Sequence, residues 1–170
     1  MNDLLIVDGY NIIGAWADLR KLRDVDLQAS RDLLIDKMAD YQGYTGTEVM
    51  IVFDAYSVYG IEKKMKQARV DVIFTRKNQT ADEKIEQLAI ELRNINMRIY
   101  VATSDYTEQW AIFGQGALRK SARELEIEVQ AMERTVRHET KKTKETQPAM
   151  RTIFSEEVAE KLEKLRRGGR

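Results

Sequence analysis

The 170-residue chain contains no cysteine, a single histidine and a single proline. Without cysteine there are no disulfides, no thiolate nucleophile and no Cys-based zinc site, which fits a reducing compartment such as the cytoplasm. The lone histidine, His138, stands in a charged stretch among Arg134, Arg137 and Lys141. It reads as a surface position rather than a general base. Long apolar runs are also lacking: the first strand-like segment is broken by Asp8, and no stretch approaches the roughly 18 apolar residues of a membrane span. The N-terminus, MNDLLIVDGYNIIG, has no basic region ahead of its apolar residues and reads as a structural strand rather than a leader.

A net charge of one sign is missing too, but the formal zero hides an asymmetry. Residues 1–133 carry 17 Lys and Arg against 22 Asp and Glu, whereas residues 134–170 carry 11 against 6. A basic extension on an acidic body suits contact with nucleic-acid phosphate, and it equally suits a solvated terminal helix. The hydrophobic content of 43% is enough for one complete core, so one main domain is expected over about residues 1–140, with residues 141–170 as a basic linker and C-terminal helix.

What is present is a regular alternation. Leu4 to Val7, Val49 to Phe53, Val70 to Phe74 and Met97 to Ala102 are short, nearly continuous and rich in β-branched residues, as buried strands are. Between them, Ala29 to Tyr44 and Ala81 to Asn94 have helical spacing, with Ile85, Leu88, Ala89 and Leu92 on one face. Alternating strand and helix predicts an α/β fold, a mostly parallel sheet with helices on both faces. Thr80 to Glu83, Asp105 to Glu108 and Ser121 to Glu124 have capping-box spacing or a close variant and mark helix starts. The charged run from Ser121 is expected to be helical to about Thr143. A polar linker containing Pro148 and a last helix from near Ser155 would follow.

The acids fall at informative places. Asp8 closes the first strand, Asp54 the second and Asp105 the last, while Asp82 opens the helix after the third. In an open α/β sheet the carboxyl ends of the strands form the rim where ligands bind, so all four belong to one edge. Two unit charges about 4 Å apart repel by roughly 4 kcal/mol at an effective dielectric near 20. Raised pKa values or a hard divalent cation must offset that cost, and ligation by oxygen alone favours magnesium or manganese. Such an ion would serve metal-assisted phosphodiester hydrolysis. Singly, each acid has a plainer reading: Asp82 and Asp105 as helix-start acids, Asp8 and Asp54 as turn residues.

Six cations, Lys63, Lys64, Lys66, Arg69, Arg76 and Lys77, flank the third strand and are candidates for phosphate contact, or else a solvated surface loop. Tyr10, Tyr56 and Tyr59 follow strand ends and could stack unpaired bases, with core packing as the alternative. Gly114 to Lys120, including Arg119, reads either as backbone approaching substrate or as a turn between helices.

The segments Leu4-Leu5-Ile6-Val7-Asp8-Gly9-Tyr10-Asn11, Val52-Phe53-Asp54, Thr80-Ala81-Asp82 and Thr103-Ser104-Asp105, followed by Gly116 to Arg119 and Ser121 to Leu125, together resemble the NYN domain, a relative of the PIN nucleases. Within it the chain looks like the YacP-like family of bacterial ribosome-associated endoribonucleases, over about residues 3–140. The resemblance implies a PIN-like three-layer α/β/α fold with a C-terminal helical extension. It also implies an Mg²⁺- or Mn²⁺-dependent endoribonuclease for single-stranded RNA, cutting mRNA in the ribosomal A site. By position, Asp8, Asp82 and Asp105 would bind metal, with Asp54 a fourth acid, Asn11 orienting Asp8 or a phosphate, and Ser104 supporting the last acid. Arg119 and Tyr10 join the cations above as RNA contacts, and the basic region from Arg134 to Arg170 would hold ribosomal RNA. The Glu usual on an early helix of PIN domains has no evident counterpart, so Asp54 is its candidate replacement and the number of metals stays open. Two rival readings are a non-catalytic RNA or ribosome binder and a receiver-like signalling domain. The latter lacks its paired acids after the first strand and its lysine after the last.

Overall fold

The structure, a computed structural model, describes residues 2–54, 63–105, 114 and 116–153, with the backbone alone for Lys63 and for 141–153. The order is β1 (Asn2–Asp8), α1 (Gly9–Ala15), α2 (Ala17–Val25), α3 (Leu27–Thr45), β2 (Glu48–Phe53), β3 (Lys63–Gln67), β4 (Val70–Phe74), α4 (Ala81–Glu91), β5 (Met97–Ala102), β6 (Leu118–Lys120) and α5 (Ala122–Ile153). The chain divides into two compact units, Met1–Gln130 and Ala131–Arg170.

Six strands form one sheet in the order β3-β4-β2-β1-β5-β6, all parallel except β3. β1 lies between β2 and β5, with Val7 opposite Ile51 on one side and Ala102 on the other. Its Leu5, Ile6 and Val7 are at most 1% exposed. Each such aliphatic side chain contributes about 1.5–3 kcal/mol by leaving water, and these residues therefore fix β1 at the centre. Side chains alternate across the sheet. Leu4, Ile6, Val52, Ile73, Ile99 and Val101 meet Ile85, Leu88 and Ala89 of α4. The alternate residues, Leu5, Val7, Ile51 and Phe53, are buried on the other face, where α1 and α3 pack with Ile12, Leu34 and Met38.

The strand order decides where a ligand can sit. From β1 the chain builds outward through β2 and β4, then crosses back to place β5 on the other flank of β1. The topological switch point is therefore at the carboxyl ends of β1 and β5. This order differs from the 2-1-3-4-5 order of receiver-like folds, which removes the signalling reading.

The chain departs from the sequence expectation in four places. No loop follows β1, since Gly9 already belongs to α1, and α1 and α2 together fill a segment to which no element is assigned from the sequence. Lys63 to Gln67 is an edge strand antiparallel to β4 rather than a surface loop, because β4 would otherwise leave a row of backbone groups unpaired. The hairpin turns through Ala68 and Arg69, both at positive φ (51° and 71°), as a two-residue turn of matching twist requires. Leu118 to Lys120 extends the sheet beside β5 instead of joining two helices. Finally, α5 continues to Ile153 through Pro148, where a linker was expected. Proline removes one donor from the helix ladder and crowds the preceding turn, and the helix continues past it. A last helix from Ser155 lies outside the described residues.

Two capping predictions can be compared directly with side chains. Thr80 Oγ1 accepts the Glu83 N–H at 3.1 Å, and Ser121 Oγ accepts the Glu124 N–H at 3.1 Å. Residues 106–113, which include Glu108 of the third box, lie outside the described residues.

A polar cluster ties α3, β6 and α5 together. The Tyr41 hydroxyl donates to Glu128 at 2.8 Å, and Lys120 Nζ reaches both Glu128 oxygens at 2.9 and 3.0 Å while lying over the Tyr41 and Tyr100 rings. Burial, then the bond to Glu128, raises the Tyr41 pKa above its ordinary 10.0. Burial alone would lower that of Lys120, but its bonds and charges with Glu128 and Tyr41 outweigh burial and raise it. In both cases the folded state holds its proton more tightly than the unfolded one, so the stabilisation is complete below the unfolded values and is lost as pH rises through the folded ones. The urea midpoint is expected to fall above about pH 10, and less steeply in Tyr41→Phe. Equal slopes for the two proteins would remove Tyr41 from this linkage.

Gly9 supplies a second expectation. A Cβ there would collide with Cε1 and Cδ1 of Phe53. That ring is fully buried and held between Tyr10 (centroids 5.0 Å apart) and Phe74 (5.4 Å). Gly9→Ala should destabilise the fold by about 1–3 kcal/mol in urea denaturation, the usual cost of overpacking, despite alanine's better helix propensity. An unchanged midpoint would show that Phe53 moves freely.

Candidate active site

The carboxyl edge of the sheet can be built one strand at a time. Asp8 is the last residue of β1 and only 7% exposed. It precedes α1 without capping it, so its carboxylate makes no bond to the helix start. Asn11, in the first turn of α1, reaches across the switch point: its Oδ1 accepts both the N–H and the hydroxyl of Ser104, at 2.7 and 2.9 Å. The chain leaving β5 is thereby fastened to the chain leaving β1. Asp105 follows at once, its N–H donating to the Oγ1 of buried Thr103 at 3.1 Å. Asn11 orients the loop that carries Asp105, and the half of its amide that Ser104 does not use is Nδ2, a donor suited to phosphate.

Asp54 leaves β2 and does something its sequence position did not reveal. Its Oδ1 accepts the Ala81 N–H at 2.6 Å, a charge-assisted bond to the first residue of α4. An unsatisfied helix-start donor and a carboxylate thereby satisfy each other, and α4 is pinned to the end of β2. Asp82, the next residue, is exposed in the first turn beside the Thr80 cap. Asp54 thus positions the element that presents Asp82.

The basic residues divide between the two edges of the sheet. Arg76 and Lys77 are exposed just beyond β4, on the acidic edge. In the β3–β4 ladder Lys63 lies opposite Phe74 and Gln67 opposite Val70. The backbone of Lys63 is therefore at the acidic edge and Arg69 at the far one, roughly 17 Å away at 3.4 Å per residue. Lys66 is paired with Asp71 at 3.8 Å. Lys64 and Arg119 are exposed on β3 and β6. Tyr10 is half-buried against Phe53, and its hydroxyl accepts from Arg31 at 3.0 Å, so its ring is engaged in packing. Tyr56 and Tyr59 lie outside the described residues.

One residue of the edge went unread. Lys84, one turn into α4, is only 4% exposed. Its signal was a lysine on the apolar stripe of Ala81, Ile85 and Leu88, where a helix facing a sheet ordinarily carries a hydrophobe.

Among the described residues no three His, Cys, Asp or Glu side chains stand close enough to enclose a metal ion. The donors at the edge nevertheless suit a hard cation, because they are carboxylate and amide oxygens alone. Magnesium ordinarily takes one or two carboxylates and completes its shell with water and substrate phosphate, so a complete protein cage is not required. No helix of the described residues is long and apolar enough to cross a membrane.

The mostly parallel six-stranded sheet has the α/β fold of the NYN and PIN-like class, as the likeness to a solved structure below bears out. The model of the YacP-like NYN domain matches residues 5–167, and the chain belongs to that family. It is 57% identical over 166 residues to the uncharacterized protein YacP of Bacillus subtilis (strain 168), covering 98% of both chains. Among solved structures it resembles the crystal structure of Rae1 (YacP) from Bacillus subtilis, at 57% identity and a TM-score of 0.76, covering 98% of this chain and 95% of that one. A mutant form of the same protein matches at 56% identity and 0.74, over 84% and 83% of the two chains. Family membership suggests a nuclease-type function.

The bond from Ala81 to Asp54 separates shape from charge. Asp54→Ala should cost about 1–2 kcal/mol in urea denaturation, the scale of a lost helix-start acceptor. Asp54→Asn keeps an acceptor oxygen and should cost less than half of that. If both variants lose the same amount, charge rather than the bond sets the position of α4.

Proposed function

We propose that this chain is a divalent-metal-dependent endoribonuclease that cleaves single-stranded RNA, with mRNA in the ribosomal A site as its substrate and the cytoplasm as its place of work. The observation that carries this reading is the switch point itself. A buried Asp8 and a half-buried Asp105 are held at the ends of adjacent parallel strands by the Asn11–Ser104 bonds, in a chain of the YacP-like NYN family.

The residues divide the work as follows. Asp8, Asp82 and Asp105 would hold Mg²⁺ or Mn²⁺, and Asp54 sets the height of α4 and hence of Asp82. When bound, the cation supplies Lewis-acid polarisation of the phosphodiester. Asn11 Nδ2, Arg76 and Lys77 would take non-bridging phosphate oxygens along the same edge and so place the backbone for in-line attack by water. Cations that neutralise phosphate make binding strongly salt-dependent. The basic stretch from Arg134 onward would add contact with ribosomal RNA.

A second reading is a non-catalytic RNA or ribosome binder, which the basic stretch from Arg134 onward would serve equally well. One comparison separates the two. Wild type and Asp82→Asn are incubated with an mRNA and Mg²⁺ or Mn²⁺, on translating ribosomes and free in solution, with the fold of each checked by circular dichroism. Wild type should cut on ribosomes, and the variant should lose at least about a hundredfold in rate, as removal of a charged group acting in the transition state does. Cleavage of free RNA as well would broaden the substrate to RNA in general. A folded wild type that cuts neither would leave the binder as the function.

A further inference from the structure

Lys84 is buried without being part of an apolar core in the ordinary sense. Burying an ammonium costs several kcal/mol unless an opposite charge stands close by. Both Lys84 and Asp8 are engaged in polar or electrostatic interactions, so neither is a stray charge. Two observations and one rule of helix geometry indicate the direction in which the ammonium extends. Ala81 and Ile85 on the same stripe of α4 are buried against the sheet, so Lys84 faces the sheet too. The N-terminus of α4 is tied to the carboxyl edge by the Ala81–Asp54 bond. Helical side chains lean toward the N-terminus of their helix, which for α4 is the acidic edge. Lys84 lies three residues below Ala81, about 4.5 Å along the axis, within reach of a four-carbon stem.

We infer that the Lys84 ammonium is the resident counter-charge of the acidic crevice: it holds Asp8 and its neighbouring carboxylates together while no metal is bound and is a fixed positive charge against which an incoming cation must bind. The inference rests on the metal-dependent reading above and deepens it. A helix N-terminus is a poor place for a cation, since the dipole there is itself positive. Its presence is understandable if carboxylate charge at the same edge, that of buried Asp8 first, outweighs the dipole. The same charge limits the crevice. With Lys84 in place, a single divalent ion leaves less uncompensated carboxylate to attract a second, so Lys84 biases the site toward one metal. It is a positioning residue, with no contact with substrate implied.

Lys84→Met keeps an unbranched side chain of similar volume and removes the charge. Calorimetric titration with Mn²⁺ should show the variant binding about tenfold more tightly than wild type, because the ion no longer meets a fixed positive charge. In EDTA the variant should unfold at a lower temperature than wild type and recover part of the difference in high salt, which screens the carboxylates from one another. Lys84→Arg, which keeps the charge, should bind Mn²⁺ within about twofold of wild type. A methionine variant with unchanged Mn²⁺ affinity and equal or greater stability in EDTA would show that Lys84 is only a packed stem and overturn the inference. If the methionine variant folds only with Mn²⁺ present, the counter-charge role is supported. If it folds under neither condition, the arginine variant decides: wild-type binding supports the role of charge, and failure of Arg to fold or bind overturns it. A wild type that neither binds Mn²⁺ nor cuts RNA would defeat the nuclease reading. The salt dependence of stability in EDTA would still judge Lys84 separately.

Discussion

The chain passes from β1 into α1 without a connecting residue, and it can do so only because Gly9 has no Cβ to strike Phe53. Most of the edge depends on that close approach. With no loop to absorb error, Asp8 is delivered at a fixed height on the central strand. Asn11 follows less than one helical turn later, which is what lets its side chain reach Ser104 beyond β5. Phe53 in turn is the last residue of β2, so the ring that excludes a side chain at Gly9 also fixes where Asp54 begins. One aromatic contact thereby sets the starting points of two acids, and the Asn11–Ser104 pair sets a third. Stability and site geometry are the same interaction here, seen from two sides.

Electrostatics then asks how carboxylates stay together. The structure answers differently for each. Asp54 is drawn into a bond with a helix-start N–H, Asp82 gains from the dipole of α4, and Asp8 is buried at the end of the central strand. Among the described residues none of these devices encloses a metal. An edge held this way is organised by the fold itself, and under the proposed reading an arriving ion would keep coordination positions open for water and substrate oxygens.

Much of this was legible in the sequence and some was not, for physical reasons. Central parallel strands are buried on both faces, so β1, β2, β4 and β5 appeared as continuous apolar runs. Thr80 and Ser121 announced their helices because a hydroxyl three residues before a Glu does one job well. β3 had no such signature. Three of its five residues are lysines, and it is a strand because β4 lacked a partner, which only the tertiary fold can state. β6 has three residues and no pattern to read. Asp54 read as an acid for chemistry, and its bond to Ala81 depends on where α4 begins relative to β2, a distance in space that spacing along the chain cannot supply. Lys84 was passed over because lysine on a helix is ordinarily a surface residue.

The register of the β3–β4 hairpin carries the last consequence. Sequence alone groups six cations around one strand, but an antiparallel pair sends its two ends to opposite edges of the sheet. Arg76 and Lys77 remain beside the acids, whereas Arg69 sits at the hairpin turn on the far edge and Lys66 is paired with Asp71. A polyanion crossing the carboxyl edge would therefore meet positive charge on the β4 side of the acids, and the six cations cannot act as one patch. Contacts between Arg69 and the same stretch of RNA would require the strand to travel about 17 Å along β4. Phosphate held at the acidic edge would meet Arg76 and Lys77, and the hairpin turn would lie out of its reach.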